Sequence, residues 1–145
     1  MKSVKPCLIS LFLMLVLVFG LAVPAGAATL PEPDADVYAS RYFRGYTASI
    51  KAIGNGKLSI TGDVRATHSM TKLGGTKVTV YESGKTSPVG TYTTGWYKTN
   101  SISSSFSVTH QGTAGKSYYA TVTFYAQDEN GSETKTRTSS SVTAS

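Results

Sequence analysis

The chain has 145 residues, with 14 basic against 8 acidic side chains and a formal net charge of +6. Its one cysteine, Cys7, stands at the start of the first apolar run, so a disulfide framework, cysteine-ligated zinc and thiol catalysis are closed to the rest of the chain. Lysine and arginine are scattered singly, without the run that marks a nucleic-acid-binding arm, and no nucleic acid is expected as a partner.

Lys2 and Lys5 precede an almost unbroken apolar stretch from Leu8 to Val23, and Ala25-Gly26-Ala27 supplies the small residues of a cleavage site. This is the layout of a secretory signal peptide over residues 1–27. The alternative is a retained membrane anchor, for which the run falls short of the roughly 20 residues that a bilayer span needs. Cleavage after Ala27 leaves 118 residues, 12 of them basic against 8 acidic. That is ample for one domain with one core, secreted or extracellular, with no membrane span left. A charge of this size suits either ordinary solubility or attraction to anionic wall polymers.

Residues 28–45 read as a leader. Thr29 to Asp36 is proline-rich and acidic, and lacks the ordered spacing and glycine of a calcium loop. Val37 to Gly45 reads either as a short helical turn or as an irregular lead-in whose Tyr38, Tyr42 and Phe43 cap one end of the core. The domain proper, 46–145, begins where strand periodicity begins. Tyr46, Ala48 and Ile50 alternate with polar residues, Gly54-Asn55-Gly56 is a turn signal, and Leu58, Ile60, Gly62, Val64 and Ala66 alternate in turn, so the pair predicts a hairpin. Gly62, on the inner face, either admits a large neighbour or marks a bulge.

His68 to Gly75 reads as a connection, with Met70 and Leu73 plugging the core edge. Thr76 to Glu82 is a strand with Val78 and Val80 inward. Val89 to Lys98 is an edge strand of open register, and Ile102 to His110 alternates again after a turn at Asn100. Gly115 to Gln127 is the cleanest alternation in the chain, with Tyr118, Ala120, Val122, Phe124 and Ala126 on one side. Asp128-Glu129-Asn130-Gly131 is a hairpin signal, and Ser132 to Val142 closes the set. Seven strands at short spacing with no helical pattern predict an all-β, antiparallel immunoglobulin-like β-sandwich, with a small barrel as the alternative.

Gly115-Lys116-Ser117-Tyr118, the alternation through Ala126, and Asp128-Glu129-Asn130-Gly131-Ser132-Glu133 resemble the last two strands of a fibronectin type III domain. Tyr46 to Ile60, Met70-Thr71-Lys72-Leu73-Gly74 and Gly112 to Ala120 are similar to a family of small exported Gram-positive bacterial proteins of unknown function. The resemblances imply export and a sandwich, and bring no activity or site residues.

Signatures of hydrolytic serine elbows, zinc proteases, phosphate loops and dinucleotide sites are absent from the sequence. A serine nucleophile needs a base, and the two histidines, His68 and His110, read as polar rim residues. Asp63, Glu82, Asp128, Glu129 and Glu133 read as solvated surface. No catalytic residue, cofactor or metal is expected. The sharper expectation concerns a surface. In a fibronectin-like arrangement the strands at 76–82, 116–127 and 132–142 are neighbours, and their outward residues would place Tyr81, Tyr119 and Tyr125 beside Lys77, Lys135 and Arg137. Exposed aromatic rings with interleaved cations can stack sugars and meet anionic groups, while cross-strand tyrosine and threonine pairs also simply stabilise sheets. The expected function is a non-enzymatic binding or adhesion module for cell-wall glycan or an extracellular protein. The alternatives are a self-associating structural protein, helped by the serine-rich edge Ser101–Thr109, and, third, an enzyme of unread type.

Overall fold

The structure is a computed structural model that describes residues 40–145, so the signal-peptide segment and most of the leader lie outside the described residues. The described residues form an all-β sandwich of eight strands: β1 (Phe43–Gly54), β2 (Lys57–Met70), β3 (Lys72–Glu82), β4 (Pro88–Lys98), β5 (Ser101–Gln111), β6 (Ser117–Asp128), β7 (Gly131–Thr138) and β8 (Val142–Thr143). One sheet runs β1-β2-β5. The other runs β4-β3-β6-β7, with β8 also paired to β6. All pairings are antiparallel. The immunoglobulin-like sandwich holds and the barrel does not.

The hairpin between β1 and β2 turns where Gly54, Asn55 and Gly56 all take positive φ (89°, 54° and 72°), the region that glycine and asparagine enter at least cost. Strand β6 alternates between buried and half-buried residues along most of its length, and Ala120, Val122, Phe124 and Ala126 are fully enclosed. Tyr118 opens that strand, and its phenol oxygen accepts the backbone N–H of Thr113 at 2.9 Å. A tyrosine tied back to the loop before its strand is a corner device of such sandwiches.

Three boundaries differ from the sequence reading. β1 starts at Phe43, and Tyr42 and Phe43 are buried, because Glu133 of β7 draws in Ser40 Oγ at 2.7 Å and Tyr42 N–H at 3.3 Å. His68–Gly75 is not a connection. β2 continues to Met70 and β3 resumes at Lys72, and the expected plugs Met70 and Leu73 are both fully buried. The last strand divides: β7 ends at Thr138, Ser139 tucks its hydroxyl under Ala120 N–H at 3.0 Å, and β8 returns to β6 opposite Ser117 and Tyr118.

The two sheets interlock at Phe106. Its register partner in β2 is Gly62, and Gly75 of β3 faces it from the opposite sheet. A Cβ added at either glycine would run into the Phe106 ring. The open side of that ring stacks on Trp96 of β4, with centroids 4.9 Å apart and planes at 5°. Gly62 therefore admits a large neighbour, and the ring fills the space that two missing side chains leave. Removing a buried phenyl costs roughly 3–5 kcal/mol. Phe106→Ala should lose stability in that range in urea unfolding, with the emission of Trp96, the chain's single tryptophan, shifted to the red. Gly62→Val and Gly75→Val should unfold at lower urea for the opposite reason, overpacking.

Candidate functional site

The outer face of the β4-β3-β6-β7 sheet is the most distinctive surface. Register fixes its rows. Tyr97, Gly74, Tyr125 and Thr134 lie side by side. Thr93, Lys77, Thr123 and Thr136 form a second row, and Thr91, Thr79, Thr121 and Thr138 a third, while Tyr81 pairs with Tyr119 beyond them. β-Branched threonine suits a pleated face, and Thr123 and Thr136 join hydroxyls across strands at 3.3 Å. The cations on this face are Lys72, opposite Gln127, and Lys77, both exposed.

The tyrosines form two pairs. Tyr81 and Tyr119 stack with centroids 5.1 Å apart and planes at 11°. Each ring gives one face to the other, so these two do not both lie flat as a platform. Tyr97 and Tyr125 meet edge to face at 5.8 Å across Gly74, and the Tyr125 hydroxyl donates to Gln127 Oε1 at 3.0 Å. Burial pushes the Tyr97 phenol above its usual value, with Tyr125 adding to the rise, so the phenol stays neutral well past physiological pH. Tyr97 was not among the residues expected at the site. Its signal was its place on an edge strand opposite Gly74, invisible until that strand's register is known.

Two expected members are elsewhere. Lys135 pairs with Phe124 and Arg137 with Val122, both core-facing, so Lys135 and Arg137 share the inner side of β7 and stand on the opposite face of the sheet from Tyr119 and Tyr125. Lys135 meets Glu133 at 3.5 Å. The cause is the turn. Asp128 pairs with Gly131, and a two-residue hairpin loop makes even-numbered residues of β6 face odd-numbered residues of β7. The structure thus brings together Tyr81, Tyr119, Tyr125 and Lys77, adds Tyr97 and Lys72, and removes Lys135 and Arg137.

A polar cluster sits where β2 ends beside the β6–β7 turn. His68 Nε2 lies 3.0 Å from Asp128 Oδ2, and His68 Nδ1 lies 3.0 Å from Thr67 Oγ1. The order hydroxyl, imidazole, carboxylate has the outline of a nucleophile triad. Its chemistry differs, because the Thr67 hydroxyl proton goes to the Arg41 carbonyl at 2.8 Å. The threonine orients the imidazole instead of being activated by it, and the cluster works as a clasp between the two sheets. His68 and Asp128 are thus partners, where the sequence reading left His68 on the rim and Asp128 in solvent.

His110 is the other departure. It is buried, its Nδ1 lies 2.9 Å from the Tyr92 hydroxyl, and desolvation lowers its pKa. It packs against Tyr118 at the beginning of β6, while His68 lies at the strand's far end, so the two histidines form no joint metal site. Among the described residues no group of three or more histidine, aspartate, glutamate or cysteine side chains is placed to hold a metal. A depression of about 390 Å³ opens on the β1-β2-β5 sheet beside Gly45, bordered by Asp63, Arg65, Lys98, Ser103 and Ser105. No helix of the described residues is long and apolar enough to cross a membrane. No family model, curated protein or solved structure matches the chain.

The clasp has a pH signature. The bond from His68 draws the Asp128 carboxyl from 3.8 down to about 2, helped by Asn130 and Tyr42 and opposed by desolvation. A carboxyl depressed in the folded state contributes stability that is present above its unfolded value and lost as pH falls through its folded value. Wild-type melting temperature should therefore drop between about pH 4 and pH 2. Asp128→Asn should melt lower than wild type at pH 7 and fall less steeply across that window.

Proposed function

We propose that the chain is an exported, non-enzymatic binding module of the cell surface or extracellular space, and that its outer β4-β3-β6-β7 face takes an extended, anionic wall glycan. The observation that supports this reading is the composition of that face. A tyrosine pair stands at each end, threonine hydroxyls and methyls cover the rows between, and the charges on it are those of Lys72 and Lys77. Tyr119 and Tyr125 are six positions apart on β6, which at strand rise is about 20 Å, a reach of several sugar units. Tyrosine rings offer C–H-rich sugar faces an apolar surface with a polar rim, and lysines add attraction to phosphate or carboxylate groups. The scattered net positive charge agrees with an anionic polymer as partner.

Co-sedimentation with purified Gram-positive cell wall tests the reading. Wild type should pellet with the wall and be released by salt, since exposed charge attraction is screened. Tyr97→Ser/Tyr125→Ser should weaken binding by about tenfold or more, the order expected when an aromatic pair is lost. Lys72→Gln/Lys77→Gln should remove most of the salt dependence, and both variants should keep the wild-type circular dichroism. Wild-type binding in the tyrosine variant would reject this face as the site.

A further inference from the structure

A sheet edge is a row of unpaired N–H and C=O groups, and soluble proteins blunt such edges with charge, proline or bulges. Strands β1, β5, β4 and β7 lie at the edges of this sandwich. β1 carries Arg44 and Lys51 and shifts register against β2 twice. β4 begins at Pro88, ends at Lys98 and also shifts twice against β3. β7 is only eight residues long and carries Glu133, Lys135 and Arg137.

β5 is built differently. It runs eleven residues, Ser101 to Gln111, without a charged residue or a proline, and pairs with β2 without a shift from Ser103 to Gln111. Among the described residues it is blunted at its start, where Ser101 Oγ donates to the Ser103 carbonyl at 2.7 Å and accepts Ser103 N–H at 3.3 Å, and where Lys98 of β4 borders the same depression as Ser103 and Ser105. Those Ser103 groups therefore turn away from β2. In an antiparallel ladder this orientation alternates, so the backbone groups of Ser105, Ser107 and Thr109 turn outward as well, with no such side-chain cover among the described residues.

We propose that β5 is a homotypic docking edge, on which a second copy of this chain adds its own β5 antiparallel to form one continuous six-stranded sheet from two three-stranded ones. Self-complementarity favours this occupant. Pairing about Phe106 sets Ser105 against Ser107 of the second copy and brings no charge onto a like charge. The same operation on β7 about Lys135 would set that lysine against itself, and on β1 it could set Arg44 opposite Lys51. The contact is isologous and closes at two copies. The two-fold axis stands normal to the joined sheet, so both copies turn their tyrosine and threonine faces to the same side.

Sedimentation velocity of the purified protein, loaded from about 1 μM to about 1 mM to cover weak interfaces, tests the edge independently of any wall binding. The weight-average mass should climb from one chain towards two. Ser105→Pro removes an outward donor without touching the β2 ladder, and Ser105→Lys places a cation at the seam. Both should stay monomeric throughout while keeping the wild-type circular dichroism, and Thr134→Lys on β7 should dimerise as wild type does. Where the proline variant fails to fold, the lysine variant, at an exposed serine, carries the test. A wild type that stays monomeric at every concentration overturns the proposal, as does a dimer that survives Ser105→Lys or is lost in Thr134→Lys.

Discussion

Two twisted sheets can share a core only where their inner side chains interlock, and in this sandwich one such interlock is a ring between two absences. Phe106 fills the room left by Gly62 within its own sheet and by Gly75 across the core, and Trp96 closes its remaining side. The ring also tilts against Phe124 at 6.1 Å, and Phe124 meets Tyr46, which meets Phe43, in one chain of aromatic contacts. β1, β4, β5 and β6 are all fastened through this column. Its lack of slack follows from close packing, since an interior at crystalline density passes a misfit on to its neighbours.

Around that column the ends of the sandwich are secured by polar contacts. At one end Glu133 holds the start of β1 while His68 and Asp128 join β2 to the β6–β7 turn. At the other the Tyr118 corner fixes the loop entering β6, Gly112 N–H donates to the Gly56 carbonyl, and the N–H groups of Gly56 and Gly115 donate to the carbonyls of Ser145 and Ala144. Burial covers the middle of the sheets, and these contacts cover the loops, where backbone groups would otherwise lack partners. No buried side-chain nitrogen or oxygen of the described residues lacks a hydrogen-bond partner.

Where one face of a strand is apolar, the sequence declares its orientation. β6, β2 and the middle of β3 are of this kind, and their inward residues were legible from period two alone. β7 reads Thr-Lys-Thr-Arg-Thr over 134–138, polar on both faces, so periodicity gives no direction and Lys135 and Arg137 were assigned to the wrong side. The information lay in the length of the turn before it, which sets parity whatever the side chains are. The His68–Asp128 clasp was beyond reach for another reason. The two residues are 60 positions apart on strands of different sheets, and only the packing of one layer on the other brings them together. The burial of His110 was hidden in the same way, because the rings that enclose it come from β4 and β6.

The strict alternation along β6 has a practical consequence. Residues that hold the fold and residues that meet the outside are interleaved one by one, yet they project to opposite sides of the sheet. Outer positions such as Thr121 and Thr123 can therefore be rewritten, singly or as whole rows, while Ala120, Val122 and Phe124 keep the core intact. Cysteine is absent from residues 40–145, so such rewriting needs no oxidative folding. The sandwich is in this sense a cassette, with a display surface that can be exchanged on an unchanged frame.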